Sequence, residues 1–189
     1  MRELASRLQA VQQRIAVAAA AAGRPADAVR LLAVSKTRPA ADVRALHGAG
    51  QRAFGENYVQ EAEGKMAELA DLAIEWHHIG RIQSNKTRAI AERFQWAHGV
   101  TDEHQARRLS QQRPAGLPPL DVCIQVNVSN EASKAGVAVA TLEPLARTIA
   151  ALPRLRLRGL MAIPEPAVDT AAQRRPFRAL RELSDRLRA

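Results

Sequence analysis

Six strand-like runs alternating with amphipathic stretches predict an α/β protein built from repeated βα units. Three observations carry that expectation. Successive runs begin near residues 31, 52, 74, 96 and 120, at steps of 21, 22, 22 and 24 residues. The stretches between them space their apolar positions three and four apart, as helices packed on a sheet require. The first run, Leu31-Leu32-Ala33-Val34, is unbroken by polar residues, which suits a strand covered on both faces. So regular an alternation implies parallel strands joined by right-handed crossovers. Both an open doubly wound sheet and a (β/α)8 barrel fit this pattern.

In chain order, residues 2–22 come first. Leu4, Leu8, Val11, Ile15 and Ala22 form one stripe, and Gly23 with Pro25 ends the helix. Strands are then expected at 31–34, 52–55, 74–80, 96–100, 120–128 and 157–163. Helices are expected at 39–48, 57–70, 85–94, 102–112, 138–151 and 170–188, the last with Phe177, Leu180, Leu183 and Leu187 on one face. That makes six βα units. A closed barrel of eight would need about 45 further residues at this spacing, toward the usual total of roughly 250.

The 189 residues, 47% of them hydrophobic, can bury a substantial core as a single domain. There is neither an apolar run of membrane-spanning length nor a signal-peptide core, so the chain is expected in the cytoplasm. Cys123, the single cysteine, excludes a disulfide framework and a cysteine metal cluster. The net charge of +9 raises nucleic-acid binding as an alternative. However, the basic residues are overwhelmingly arginines scattered over nearly every predicted helix, which argues for compositional bias instead of a binding stripe. Only Lys36, Lys65, Lys86 and Lys134 are lysines. All but Lys65 fall at or near predicted strand-to-helix junctions, where α/β folds bind ligands.

Lys36 stands where the first strand should end, with Pro39 placed to begin the following helix. A lysine carried out of a buried strand would be held rigidly and partly desolvated. Desolvation and the neighbouring Arg38 both disfavour the ammonium, and a neutral amine is what imine formation with an aldehyde requires. After the second strand, Gly55-Glu56-Asn57-Tyr58 offers a sharp turn and a candidate helix cap in Asn57. Gly80 to Thr87 approaches the phosphate loop GxxxxGK[ST], but Asn85 replaces its second glycine, which leaves at most an anion site. Adjacent on a strand, His77 and His78 point to opposite faces and cannot share a metal. The polar loop from Asn127 to Gly136 carries Lys134, and Met161 in Gly159–Pro164 could pack on a flat ligand or in the core.

Five segments together resemble the pyridoxal-phosphate homeostasis proteins, whose fold is like the N-terminal barrel of alanine racemase. They are AVSKTRP (33–39), FGENYVQE (54–61), WHHIGRIQSNK (76–86), VNVSNEASKAG (126–136) and GLMAIP (159–164), in the family's order and at about its spacing. The resemblance implies a (β/α)8 barrel of TIM type, present here as six units. It also implies pyridoxal 5′-phosphate (PLP) held as a Schiff base on Lys36. Asn57, the strand end from His78 to Gly80, and Met161 are implied around the cofactor ring, with Lys134 involved in cofactor handling. Relative to the family, the chain lacks two βα units with their Ser-Met-Gly-Met-Ser and Arg-x-Gly phosphate contacts. Weak cofactor retention follows, at roughly 1.5–3 kcal/mol per lost charge-assisted bond, together with exposed strand edges. The implied function is a non-catalytic carrier or buffer, a monomer that exchanges PLP with PLP-dependent apo-enzymes. A PLP-dependent racemase is the alternative, but it needs a second acid/base on the opposite ring face. Tyr58, the only tyrosine, is not an obvious substitute.

Overall fold

The computed structural model describes residues 2–128 and 135–188. Contacts divide them into two compact units, one through His77 and one from His78 onward.

The first unit begins with α1 (Arg2–Ala21). Leu8 and Ala19 are its buried contacts, whereas Val11 is exposed and Ala22 lies beyond the helix on the surface, so the expected stripe ends one turn early. Gly23, at φ +64°, closes the helix: its amide donates to the Ala20 carbonyl, and that of Arg24 to Ala19. This is the paired-bond cap that favours glycine.

Strand β1 (Ala33–Val34) is shorter than expected and pairs in parallel with β2 (Ala53–Glu56), Ala33 opposite Phe54 and Val34 opposite Gly55. Leu31 stays outside β1 because the buried Gln51 side chain takes its carbonyl, at 2.9 Å. Nor is β1 covered on both faces, since Val34 is exposed. Helix α2 (Ala40–Gly48) starts after Pro39, which sits just outside it at the cap position. Helix α3 (Val59–Glu68) follows β2. Strand β3 (Glu75–His78) joins β2 through the Glu75 amide and Arg52 carbonyl, 2.9 Å apart. Val43, Phe54, Ala62 and Leu69 fill the core of this unit.

The second unit contains a 3₁₀ turn (Ser84–Lys86), α4 (Thr87–Arg93), β4 (Trp96–Val100), α5 (Glu103–Gln112), β5 (Leu120–Gln125), α6 (Val139–Ala151), β6 (Leu155–Met161) and α7 (Thr170–Arg186). Strands β4, β5 and β6 are parallel neighbours in chain order. All of β5 is buried, as a central parallel strand should be. Strand β6 starts two residues before the expected 157 because Leu155 already pairs with Leu120. Helix α5 opens with a reciprocal cap: Asp102 accepts from the Gln105 amide at 2.7 Å, and the Gln105 side chain accepts from the Thr101 amide at 2.9 Å. The buried Arg113 donates to the carbonyls of Ala91, Phe94 and Pro118, closing the end of α4.

Among the described residues, six strands, each followed by a helix, come after one N-terminal helix, the element order read from the sequence.

Candidate functional site

In the first unit the chemistry gathers at the C-terminal ends of β1 and β2. After Val34 the chain turns, the Arg38 amide donating to the Ser35 carbonyl at 3.0 Å. Side chains alternate here: Ser35 is buried, while Val34 and Lys36 are exposed. Lys36 is thus not buried as the sequence suggested, and its amine stands open at the strand end. Beside it, Thr37 adopts φ +62°, a left-handed conformation that is a true outlier for a β-branched residue.

A buried polar cluster lies behind this turn. Ser35 Oγ donates to Glu56 Oε1 at 2.6 Å. Lys65 Nζ, reaching in from α3, donates to the same Glu56 oxygen at 2.7 Å, to the Ser35 carbonyl at 2.7 Å and to Glu61 Oε1 at 2.6 Å. All three of its protons are thereby used. Glu61 Oε1 also accepts from the Thr37 amide at 2.6 Å. Direct donation by Lys65 holds the Glu61 carboxyl below its ordinary range; burial opposes the shift and the Thr37 amide assists it. Glu56 is fully buried, and its second oxygen, Oε2, has no hydrogen-bond partner among the described residues.

Sequence reasoning passed over Lys65 as the one lysine away from a junction, and with it Glu56 and Glu61. A signal was present: Glu61 and Lys65 are four apart on one helix face, and Glu56 is a carboxylate at the end of an otherwise apolar strand.

Asn57, half-buried at the end of β2, does not cap α3; Tyr58 occupies that position. His77 and His78 point to opposite faces, as expected. His77 Nε2 lies 2.7 Å from Glu75 Oε1, two residues back on the same face. His78 belongs to the second unit, where it is 1% exposed with its ring edge-on to Phe94 at 5.5 Å. It is packed in the core of that unit instead of lining an open surface.

Also in the second unit, Met161 ends β6 half-exposed, and its carbonyl accepts from the Val126 amide at 2.8 Å. The segment resembling a phosphate loop is closed by local bonds. Thr87 is buried and donates to the Ser84 carbonyl at 2.9 Å, while Arg108 bonds both residues. Lys134 lies outside the described residues, as does most of its loop. The loop's far end is fixed, Val137 bridging in parallel to Val126. Gly136, at φ +131°, lies so close that a Cβ would come 2.6 Å from the Asn127 nitrogen. Among the described residues, no cluster of three His, Cys, Asp or Glu could hold a metal, and no helix is long and apolar enough to cross a membrane.

Comparison with known proteins adds a family match. The alanine racemase N-terminal domain family matches residues 6–189. A pyridoxal phosphate homeostasis protein of Pseudomonas aeruginosa is 62% identical over 183 residues, covering 97% of this chain and 80% of that protein. A protein of the same name from Escherichia coli K12 is 49% identical over 176 residues, 92% of this chain and 75% of the relative. Among solved structures, PipY of Synechococcus elongatus with PLP bound aligns with a TM-score of 0.84 at 35% identity, over 97% of this chain and 81% of its own. Alanine racemase of Corynebacterium glutamicum aligns with a TM-score of 0.64 at 18% identity, over 85% of this chain and 45% of its own, a likeness of fold alone.

Proposed function

The chain belongs to the pyridoxal phosphate homeostasis protein family, and from that premise we propose that it binds pyridoxal 5′-phosphate reversibly through Lys36 and acts as a carrier. The observation that carries this reading is the exposed Lys36 amine at the end of a parallel strand, set between two residues whose backbones are hydrogen-bonded. The donor set fits the cofactor, because an exposed primary amine is the group an aldehyde requires. When bound, the cofactor would supply an aldehyde, and Lys36 would hold it through its amine, one water being released on condensation.

The remaining residues have supporting parts in this reading. Lys36 lies on the exposed side of β1 together with Val34, two residues before it. Asn57 offers an amide for hydrogen bonding at the neighbouring strand end. Met161, which the family resemblance puts near the cofactor ring, is half-exposed at the end of β6 within the second unit. His78 is left out as a direct contact because it is packed in the core.

The carrier reading is favoured over a racemase by the single tyrosine. Two-base chemistry needs an acid/base held against the opposite face of the ring, and Tyr58 is exposed at the start of α3 with no hydrogen bond fixing it among the described residues. The carrier is read as a cytoplasmic monomer that releases its cofactor to apo-enzymes.

The test is borohydride reduction of the full chain after mixing with PLP, followed by peptide mapping. The label is expected on Lys36 and absent from Lys36→Ala. Label spread over several lysines, or none at all, overturns the assignment. Amino-acid racemisation at ordinary enzymatic rates would overturn the carrier role while leaving the attachment point intact.

A further inference from the structure

We propose that Glu61 is a positioning residue for Lys36, acting by holding Thr37 in its left-handed conformation. The inference rests on the reading that Lys36 is the attachment point. A β-branched residue at positive φ is disfavoured and persists only where its surroundings over-determine it. Here the over-determination is visible. The Thr37 amide donates to Glu61 Oε1 at 2.6 Å, and the Lys65 ammonium fixes that same oxygen from behind, also at 2.6 Å.

On the other side of Lys36 the grip is equally direct. The Ser35 carbonyl accepts from Lys65, and its hydroxyl donates to Glu56. Lys36 is therefore the unclamped residue between two clamped ones. The turn bond from Arg38 to Ser35, with positive φ at the third residue, is an arrangement normally given to glycine or asparagine. With threonine in that place, the turn depends on a carboxylate from the next helix. Removing Glu61 lets Thr37 relax to negative φ, which redirects the chain at Lys36 and the path of its side chain.

Glu61 also belongs to a surface recess with Thr37, Arg38, Pro39, Gln60 and Gly64. The carboxylate is in reach of solvent there, so its replacement need not disrupt the core. The cluster would then serve as a mount that orients the reactive amine while leaving Nζ itself uncommitted.

The experiment compares the parent chain with Glu61→Ala, Glu61→Gln and the double variant Glu61→Ala/Thr37→Asn. Two readouts are taken: amide hydrogen exchange at Thr37 without cofactor, and the rate of borohydride-trapped PLP attachment at Lys36. Glu61→Ala is expected to speed Thr37 exchange and slow attachment about tenfold, the scale of the left-handed penalty for an L-residue. Glu61→Gln keeps an acceptor for the amide and retains most of the rate. The double variant recovers most of it too, because asparagine tolerates positive φ without the carboxylate.

Attachment at the parental rate in Glu61→Ala, with Thr37 exchange accelerated, overturns the inference. So does a loss that asparagine does not recover, since Glu61 would then act by another route. A parent chain that does not attach PLP at Lys36 overturns the attachment reading, and the positioning role with it. Thr37 exchange would still report whether the clamp exists, so the two failures are distinguishable.

Discussion

Replacing Lys65 by methionine removes the cation from the buried cluster and leaves its partners in place. Lys65 and Glu56 have side chains only 6% and 0% exposed, with Nζ and Oε1 2.7 Å apart. Glu56 would keep one hydrogen bond, from Ser35 Oγ, and would have a buried charge with no counter-ion. Breaking such a pair from one side costs about 3–5 kcal/mol. For a chain of this size that is a fall in Tm of about 6–20 °C. Urea unfolding followed by circular dichroism measures the same loss as a lower midpoint. The double variant Glu56→Gln/Lys65→Met removes both charges and leaves an amide that still accepts from Ser35, so most of the loss should return. A single variant costing less than about 1 kcal/mol, or a double variant no more stable than the single, would refute this account of the cluster.

Other predictions follow from local geometry. Gly136→Ala should cost about 1–3 kcal/mol, because φ is +131° and the new Cβ would meet two backbone atoms within 2.7 Å; faster exchange of the Val137 amide, which donates to Gln125, is the readout. Cys123 is buried and its thiol is pushed up to about 12, by burial first and then by Asp121. Native protein at pH 8 should therefore resist iodoacetamide, while urea-unfolded protein reacts. Glu61 has a depressed pKa in the folded chain, so its stabilisation is complete above the ordinary carboxylate value of 4.5 and is lost as pH falls through the lower folded value. Thr37 exchange, corrected for intrinsic rates, should accelerate on that acid side in the parent chain and be indifferent to it in Glu61→Gln.

The repeating architecture was legible because the first four strand-to-strand steps are of nearly constant length and the stretches between strands carry periodic apolar faces. Boundaries were less so, for reasons particular to each element. Strand β1 lost Leu31 to a side-chain bond from Gln51, a competitor twenty residues away that no local pattern reveals. Asn57 has a capping side chain, but the helix begins two residues later, after Tyr58. Lys36 was picked out from sequence as the proposed attachment point, yet the partial desolvation expected of it past the strand end is not what the fold provides, since the residue is exposed. What the fold provides instead is a pair of anchored neighbours, and these depend on Lys65, Glu56 and Glu61 meeting in space. His78 could not be placed from sequence, since a shift of one residue in strand register exchanges the two faces. In the structure its partner is Phe94, beyond the next helix.

The saturated Lys65 ammonium has a consequence for selectivity. An aldehyde added to a protein reacts with whatever unprotonated amines it can reach, and an ordinary lysine-rich surface offers dozens of competitors. This chain carries its cationic surface almost entirely as arginine, whose guanidinium stays protonated and does not condense like an amine. Of its four lysines, one is withdrawn into the interior with every proton engaged. An incoming aldehyde thus meets few rival side-chain amines, Lys86 and Lys134 alone beside Lys36, and the selectivity proposed for Lys36 would owe as much to that scarcity as to the shape of its own surroundings.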